Sequence, residues 1–213
     1  MSGRRGSPHG GAAGGSARSG NRHRVRRWAA SLSALALVVV LAWVGLGAWF
    51  LSARHRSEPT PSDVIVLLAG ADDGRHALAR ELFASGIAPR LFVSNPLGAE
   101  EPKATALCRL PNATCFEPVP HTTAGEAEYI RGAAEEAESR GVGWTRISVV
   151  TNRPHAARAG AYFRRCLAGA GRGGADVEVR VVAIDSVDVP RLPIHVAREA
   201  AGFAKAAVQG GPC

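Results

Sequence analysis

Three stretches of the chain hold side chains whose types and spacing suit acid–base chemistry on an anion. The first is Val149 to Ala159, VVTNRPHAARA, where Thr151 and Asn152 close an apolar run and His155 and Arg158 follow three residues apart. A helix with Pro154 in its first turn puts that pair on one face at the positive end of the dipole, where negative charge is favoured. The second, HTTAGEAEYI, sets Thr122 and Thr123 at a helix start with Glu126 three residues after Thr123, the spacing of a capping box. The third, LLAGADDGRHALA, turns through Gly70, Asp72 and Gly74 into Arg75, so that backbone N–H groups can approach an anion. It lacks the Lys and hydroxyl of a P-loop. His155, Glu126 and Asp72 are the candidate proton carriers, with His the side chain best matched to neutral pH. Gly70, Arg75, Ser94, Asn95, Thr122, Thr123, Thr151, Asn152 and Arg158 are the candidate ligand contacts. Each stretch also has a plain structural reading, as an N-cap, a βα turn or a surface helix start.

The elements that must position these residues alternate in period. Asp63 to Ala69 is a short, almost wholly apolar run of the kind found in a strand buried on both faces, Arg146 to Thr151 reads as another buried strand, Arg90 to Ser94 and Val177 to Ala183 read as further strands, and Thr114 to Glu117 reads as an edge strand. Between and after them, Arg75 to Ser85, Thr123 to Arg140, Pro154 to Ala168 and Ile194 to Val208 read as helices. This order predicts an α/β fold: a Rossmann-like three-layer α/β/α domain over residues 63–213 with a mostly parallel sheet. Such sheets take ligands at the carboxyl ends of their strands. The loops to watch are therefore Gly70 to Gly74, Ser94 to Gly98, His121 to Glu126 and Asn152 to His155.

Ahead of the domain, Trp28 to Leu51 has no charged residue over 24 positions, enough for one transmembrane helix. A cleaved signal peptide is the competing reading, although its apolar core is shorter, roughly 7 to 15 residues. Seven arginines and no acid precede Trp28, and they account for all but one unit of the +8 net charge. Their position against a span makes them a positive-inside signal rather than a nucleic-acid footprint, which needs a basic patch on a folded surface. The expected organisation is a disordered basic cytoplasmic tail at 1–27, the span at 28–51, a linker at 52–62, and the domain outside the membrane. Four cysteines in an oxidising location invite disulfides, Cys108 with Cys115 across CRLPNATC first and Cys166 with Cys213 second. No C-x-x-C and no paired histidines on one helix point to a metal.

From about Asp63 to Ala183 the chain resembles the YdcF/SanA/ElyC family, a bacterial domain family of largely undefined function. The resemblance rests on Arg75, on ELFASGIAPRLFVS ending at Ser94, on HTTAGEA, and above all on VVTNRPHAARA. The chain departs from the family pattern in AGADDG after the first strand, in SNPLG after the second, and in the acid of the Thr loop, which falls one position late. The resemblance implies a Rossmann-like fold with its motifs at one cleft, and a role in the cell envelope. Family members are linked to S-adenosylmethionine, which a domain outside the membrane would not meet; no cofactor is identified. Two functions remain open: an enzyme acting on an anionic, phosphate-containing or lipid-linked envelope precursor, and a binding or scaffolding module that holds such a ligand without turnover. A single span with the domain outside means that protease added to intact spheroplasts should digest residues 60–213; protection of that segment would reverse the topology.

Overall fold

The computed structural model describes residues 17–70, 73–184, 189–209 and 213. It divides into two compact units, residues 1–45 and 46–213. Most of the first unit is helix α1 (Ala17–Phe50), whose last turn belongs to the second. Within α1, Arg26–Phe50 is long and apolar enough to cross a membrane, and none of its most apolar stretch is buried. Trp28, Leu37, Val38 and Val40 are all more than half exposed, and at 100° per residue they point to every side of the helix. That rules out a soluble core helix, which would bury such residues. It leaves a membrane span or a signal sequence. The helix reaches back to Ala17, so the basic segment expected to be disordered is helical from there onward; arginine is a good helix former, and extending an existing helix avoids a new nucleation cost.

The second unit is built on five strands: β1 (Val64–Leu67), β2 (Leu91–Ser94), β3 (Ala113–Phe116), β4 (Arg146–Asn152) and β5 (Glu178–Ile184). All pair in parallel, in the order β3-β2-β1-β4-β5. The strands alternate with α2 (Arg75–Ala84), α3 (Pro102–Cys108), α4 (Thr123–Ser139) and α5 (Ala156–Cys166), and α6 (Leu192–Gln209) follows β5. Because successive strand residues point to opposite faces, β1 serves two cores. Val64, Val66 and Leu68 pack with Ala127, Ile130 and Ala134 of α4 and Ala159 and Phe163 of α5. Ile65 and Leu67 pack with Ala79 and Leu82 of α2 and Ala104 and Leu107 of α3. This is the expected three-layer fold, with α3 an element the apolar pattern did not announce.

A third cluster lies outside α5. Phe50, at the end of α1, is 2 % exposed and packs with Ala157 of α5 and with Val196, Ala200 and Phe203 of α6. The segment expected as a linker is bonded to the domain: the Ser57 N–H donates to the Val181 carbonyl at 2.7 Å, and the Ser62 N–H to that of Ile87 at 2.9 Å.

Both disulfides form. Cys108–Cys115 joins the end of α3 to β3, and Cys166–Cys213 joins the end of α5 to the C-terminal residue beyond α6. The second closes the longer loop, 47 residues against 7, and on a chain-entropy basis the two contribute about 4 and about 2.5 kcal/mol. Replacing Cys166 and Cys213 together by Ala should therefore lower the free energy of unfolding more than replacing Cys108 and Cys115, which denaturant titration of the two variants will read.

Candidate functional site

The order of the strands reverses direction between β1 and β4, and a cavity of about 650 Å³ opens at the carboxyl end of the sheet there. All four expected loops contribute to its lining. Gly70 and Arg75 follow β1, Ser94 ends β2, Thr122, Thr123 and Glu126 follow β3, Asn152 ends β4, and His155 and Arg158 follow it. Asn95 and Thr151 do not line it: the Asn95 side chain turns to Thr105 Oγ1 at 3.3 Å, and Thr151 is fully buried in β4. Asp72 lies outside the described residues.

Local chemistry explains how each loop presents its residue. Arg75 is 3 % exposed and braces the loop after β1. Its Nε donates to Asp73 Oδ1 at 2.9 Å, its Nη2 to Asp73 Oδ2 at 2.5 Å, and its Nη1 to the Ala69 carbonyl at 2.8 Å. Asn152 Nδ2 adds a bond to the same Asp73 carboxylate at 3.1 Å, joining the β1 and β4 loops. Gly70, at φ 145°, is required here, since a Cβ would lie 2.6 Å from Arg75 Nη1.

Helix α4 starts one residue earlier than the capping-box spacing requires. Thr122 is the N-cap, its hydroxyl accepting from the Gly125 N–H at 3.3 Å. Gly125 is where the Pro120 carbonyl crosses the helix, only 2.2 Å from where a Cβ would stand. Neither Thr123 nor Glu126 is consumed by the cap. Glu126, 4 % exposed, instead accepts the Ala69 N–H on Oε1 at 2.8 Å. Burial pushes its carboxyl up to about 7, against the opposing effects of the Ala69 N–H, of Ser94 and of the Arg75 and Arg158 charges. The Ser94 hydroxyl is near enough to favour the charged carboxylate, yet it makes no well-aligned hydrogen bond and is 2 % exposed.

Pro154 lies in the turn before α5 rather than in its first helical turn, and His155 is the N-cap residue. Asn152 Oδ1 takes the His155 N–H at 3.1 Å, leaving the ring to do something else. His155 Nε2 lies 3.2 Å from Thr123 Oγ1, and Nδ1 lies 3.1 Å from Glu199 Oε2. Arg158 donates to the same Glu199 through Nε at 2.7 Å and Nη2 at 3.0 Å, and through Nη1 to Thr123 Oγ1 at 3.1 Å. Burial opposes the Glu199 charge, but hydrogen bonds from His155 and Arg158 outweigh it and bring the carboxyl down to about 2. Burial lowers His155, with Glu199 pulling the other way. A neutral imidazole next to an ionised Glu199 satisfies both, because Arg158 already supplies the counter-charge.

Glu199 was not visible in the sequence as a site residue. It comes from α6, 41 positions after Arg158, and a lone Glu on an amphipathic helix reads as surface. The same helix brings His195 and Arg198 to the cavity, neither with an ion-pair partner among the described residues. Arg198 is exposed. Arg75 and Arg158, the cations expected to hold the anion, are both engaged by acids, so among the described residues lining the cavity the arginine without an acidic partner is Arg198. The described residues include no cluster of His, Cys, Asp and Glu able to hold a metal. Compared with known proteins, the chain matches no family model, no curated protein and no solved structure.

The two carboxyls give opposite pH signatures. Glu126, raised from 4.5 to about 7, binds its proton more tightly folded than unfolded, so its contribution is full below about pH 4.5 and is lost as pH rises through about 7. Glu199, lowered from 4.5 to about 2, contributes above about pH 4.5 and that contribution is lost as pH falls toward 2. At about 1.4 kcal/mol per pH unit each effect is at most on the order of 3 kcal/mol. Unfolding at a series of pH values should show Glu126→Gln flattening the loss between about pH 5 and 7, and Glu199→Gln destabilising the protein at neutral pH while removing part of the loss in acid.

Proposed function

We propose that the cavity binds an anionic, phosphate-containing ligand and carries out proton-transfer chemistry on it. The observation that carries this reading is Glu126. A carboxyl 4 % exposed, raised by burial to about 7 and lining the cavity at the switch point of a parallel sheet, is matched to moving a proton at pH 7. Ser94, buried on the same wall beside Glu126 with a hydroxyl that makes no well-aligned hydrogen bond, supports a polar ligand. His155 and Glu126 are the proton carriers in this reading, and Arg198 supplies the ion pair to the ligand.

The charge-free segment 28–51 with seven arginines before it supports the setting of a protein anchored in the cell membrane, N-terminus cytoplasmic and domain outside, and the resemblance to the YdcF/SanA/ElyC family adds a role in the cell envelope. The ligand is then a precursor met outside the cytoplasm, free or lipid-linked. The internal pairing of Arg75 and Arg158 favours a second reading, a non-catalytic binding or scaffolding module, since two of the three cavity arginines already have acidic partners.

Calorimetric titration with inorganic pyrophosphate tests the anion site. Affinity should fall as pH rises through about 7, because ionised Glu126 adds a negative charge to the wall. Glu126→Gln should remove the fall contributed by Glu126, leaving only the dependence set by the ionisation of pyrophosphate itself. Arg198→Ala should weaken binding roughly tenfold to a hundredfold, the loss of about 1.5 to 3 kcal/mol for a charge-assisted contact. Pyrophosphate that binds no more tightly to wild type than to Arg198→Ala would overturn the assignment.

A further inference from the structure

The directions of the hydrogen bonds around His155 follow from the charges. Arg158 grips both oxygens of Glu199, so Glu199 is the carboxylate and accepts from His155 Nδ1–H. A neutral ring protonated at Nδ1 leaves a lone pair on Nε2. The group 3.2 Å from that lone pair is Thr123 Oγ1, and it already accepts from Arg158 Nη1 at 3.1 Å. The Thr123 proton therefore points at Nε2. A hydroxyl, an imidazole and an orienting carboxylate stand in series, the arrangement that activates an oxygen nucleophile.

We propose that Thr123 is the nucleophile of this site, attacking the phosphorus of an anionic phosphoester, with His155 as its base and Glu199 as the positioning residue. This rests on the anion-binding reading of the same cavity. The bond from Thr123 Oγ1 to phosphorus forms as the bond to the leaving oxygen breaks. The Thr123 proton passes to Nε2, while the leaving oxygen, on the far side of phosphorus, takes a proton from solvent and departs as an alcohol. Water then attacks phosphorus from that far side and gives a proton to solvent, and the bond to Thr123 breaks as Oγ1 takes its proton back from Nε2. The net reaction is hydrolysis, with no change of oxidation state.

Two features argue against a mere brace between α4, α5 and α6. Thr123 lines the cavity, whereas a bracing hydroxyl is equally good outside it. The helix cap, the structural task nearest to hand, is performed by Thr122 instead. Arg158 Nη1, bonded to the oxygen, favours its anionic form as the proton leaves.

The test uses an alkyl fluorophosphonate on the full chain in detergent, with the modified peptide read by mass spectrometry. Attack releases fluoride and leaves a phosphonyl group on Thr123. Wild type and Thr123→Ser should label at position 123, Thr123→Val should not, and His155→Ala should slow labelling roughly a hundredfold or more. The wild-type rate should rise with pH through a midpoint below 6.5, where His155 loses its proton. Glu199→Gln should slow labelling and move that midpoint lower, since Glu199 raises the His155 pKa; a labelling rate with no midpoint in this range, or with the same midpoint in Glu199→Gln, would rule out His155 as the base. Should Thr123→Val fail to fold, this midpoint decides. Pyrophosphate binding with Thr123 unlabelled overturns the nucleophile and leaves the proposed function standing. Labelling at Thr123 without pyrophosphate binding does the reverse.

Discussion

Burying a carboxylate is costly in isolation, and at Glu199 two side chains from the start of α5 offset that cost with three hydrogen bonds. Arg158 supplies charge and two hydrogen bonds, and His155 supplies a third. Removing either partner leaves charge in a place water does not reach, which is what makes buried pairs expensive to break. The pairing fixes the rotamer of Arg158, the orientation of the His155 ring and, through both, the Thr123 hydroxyl. Helix α6 is held in place by the same contacts, with Val196 and Phe203 against Phe50 on its apolar side and Cys213 beyond it bridged to α5.

A second constraint operates at the other wall. Arg75 ties the β1 loop together by bonding to Asp73 and to the Ala69 carbonyl, and Asn152 brings the β4 loop onto the same carboxylate. That brace sets where the Ala69 N–H points, and Glu126 is held by it. Two carboxyls on one cavity thus meet opposite fates. Glu199 has a bidentate arginine and ionises readily; Glu126 has one backbone N–H and more distant charges, so desolvation prevails. A site in which one acid is permanently charged and another sits near its midpoint separates positioning from proton transfer.

Much of the fold was legible in the chain. Strands such as Asp63 to Ala69 and Arg146 to Thr151 are short, mostly apolar runs, and in a chain where strands alternate with helices a parallel sheet covered on both faces buries such runs. The apolar helix was legible for the same reason, since a long uncharged segment has few other fates in water. Helix α3 was not, because its seven residues bury only Ala104 and Leu107, too few to show a period.

The side chains brought to the cavity were legible where a motif sits at a strand end, as His155, Arg158, Thr123 and Glu126 do, because an open parallel sheet collects those loops by geometry alone. What each does there was decided by the tertiary structure. Sequence spacing assigned Thr123 and Glu126 to a helix cap, but the close crossing of Pro120 over Gly125 starts the helix at Thr122 and releases both. Spacing likewise offered Arg75 and Arg158 to a ligand, whereas Asp73 and Glu199 occupy them and leave Arg198 open. Glu199 and Arg198 come from a helix distant in sequence, and hydrogen bonds and ion pairs at a few ångströms depend on where that helix packs, which no local pattern of residues encodes.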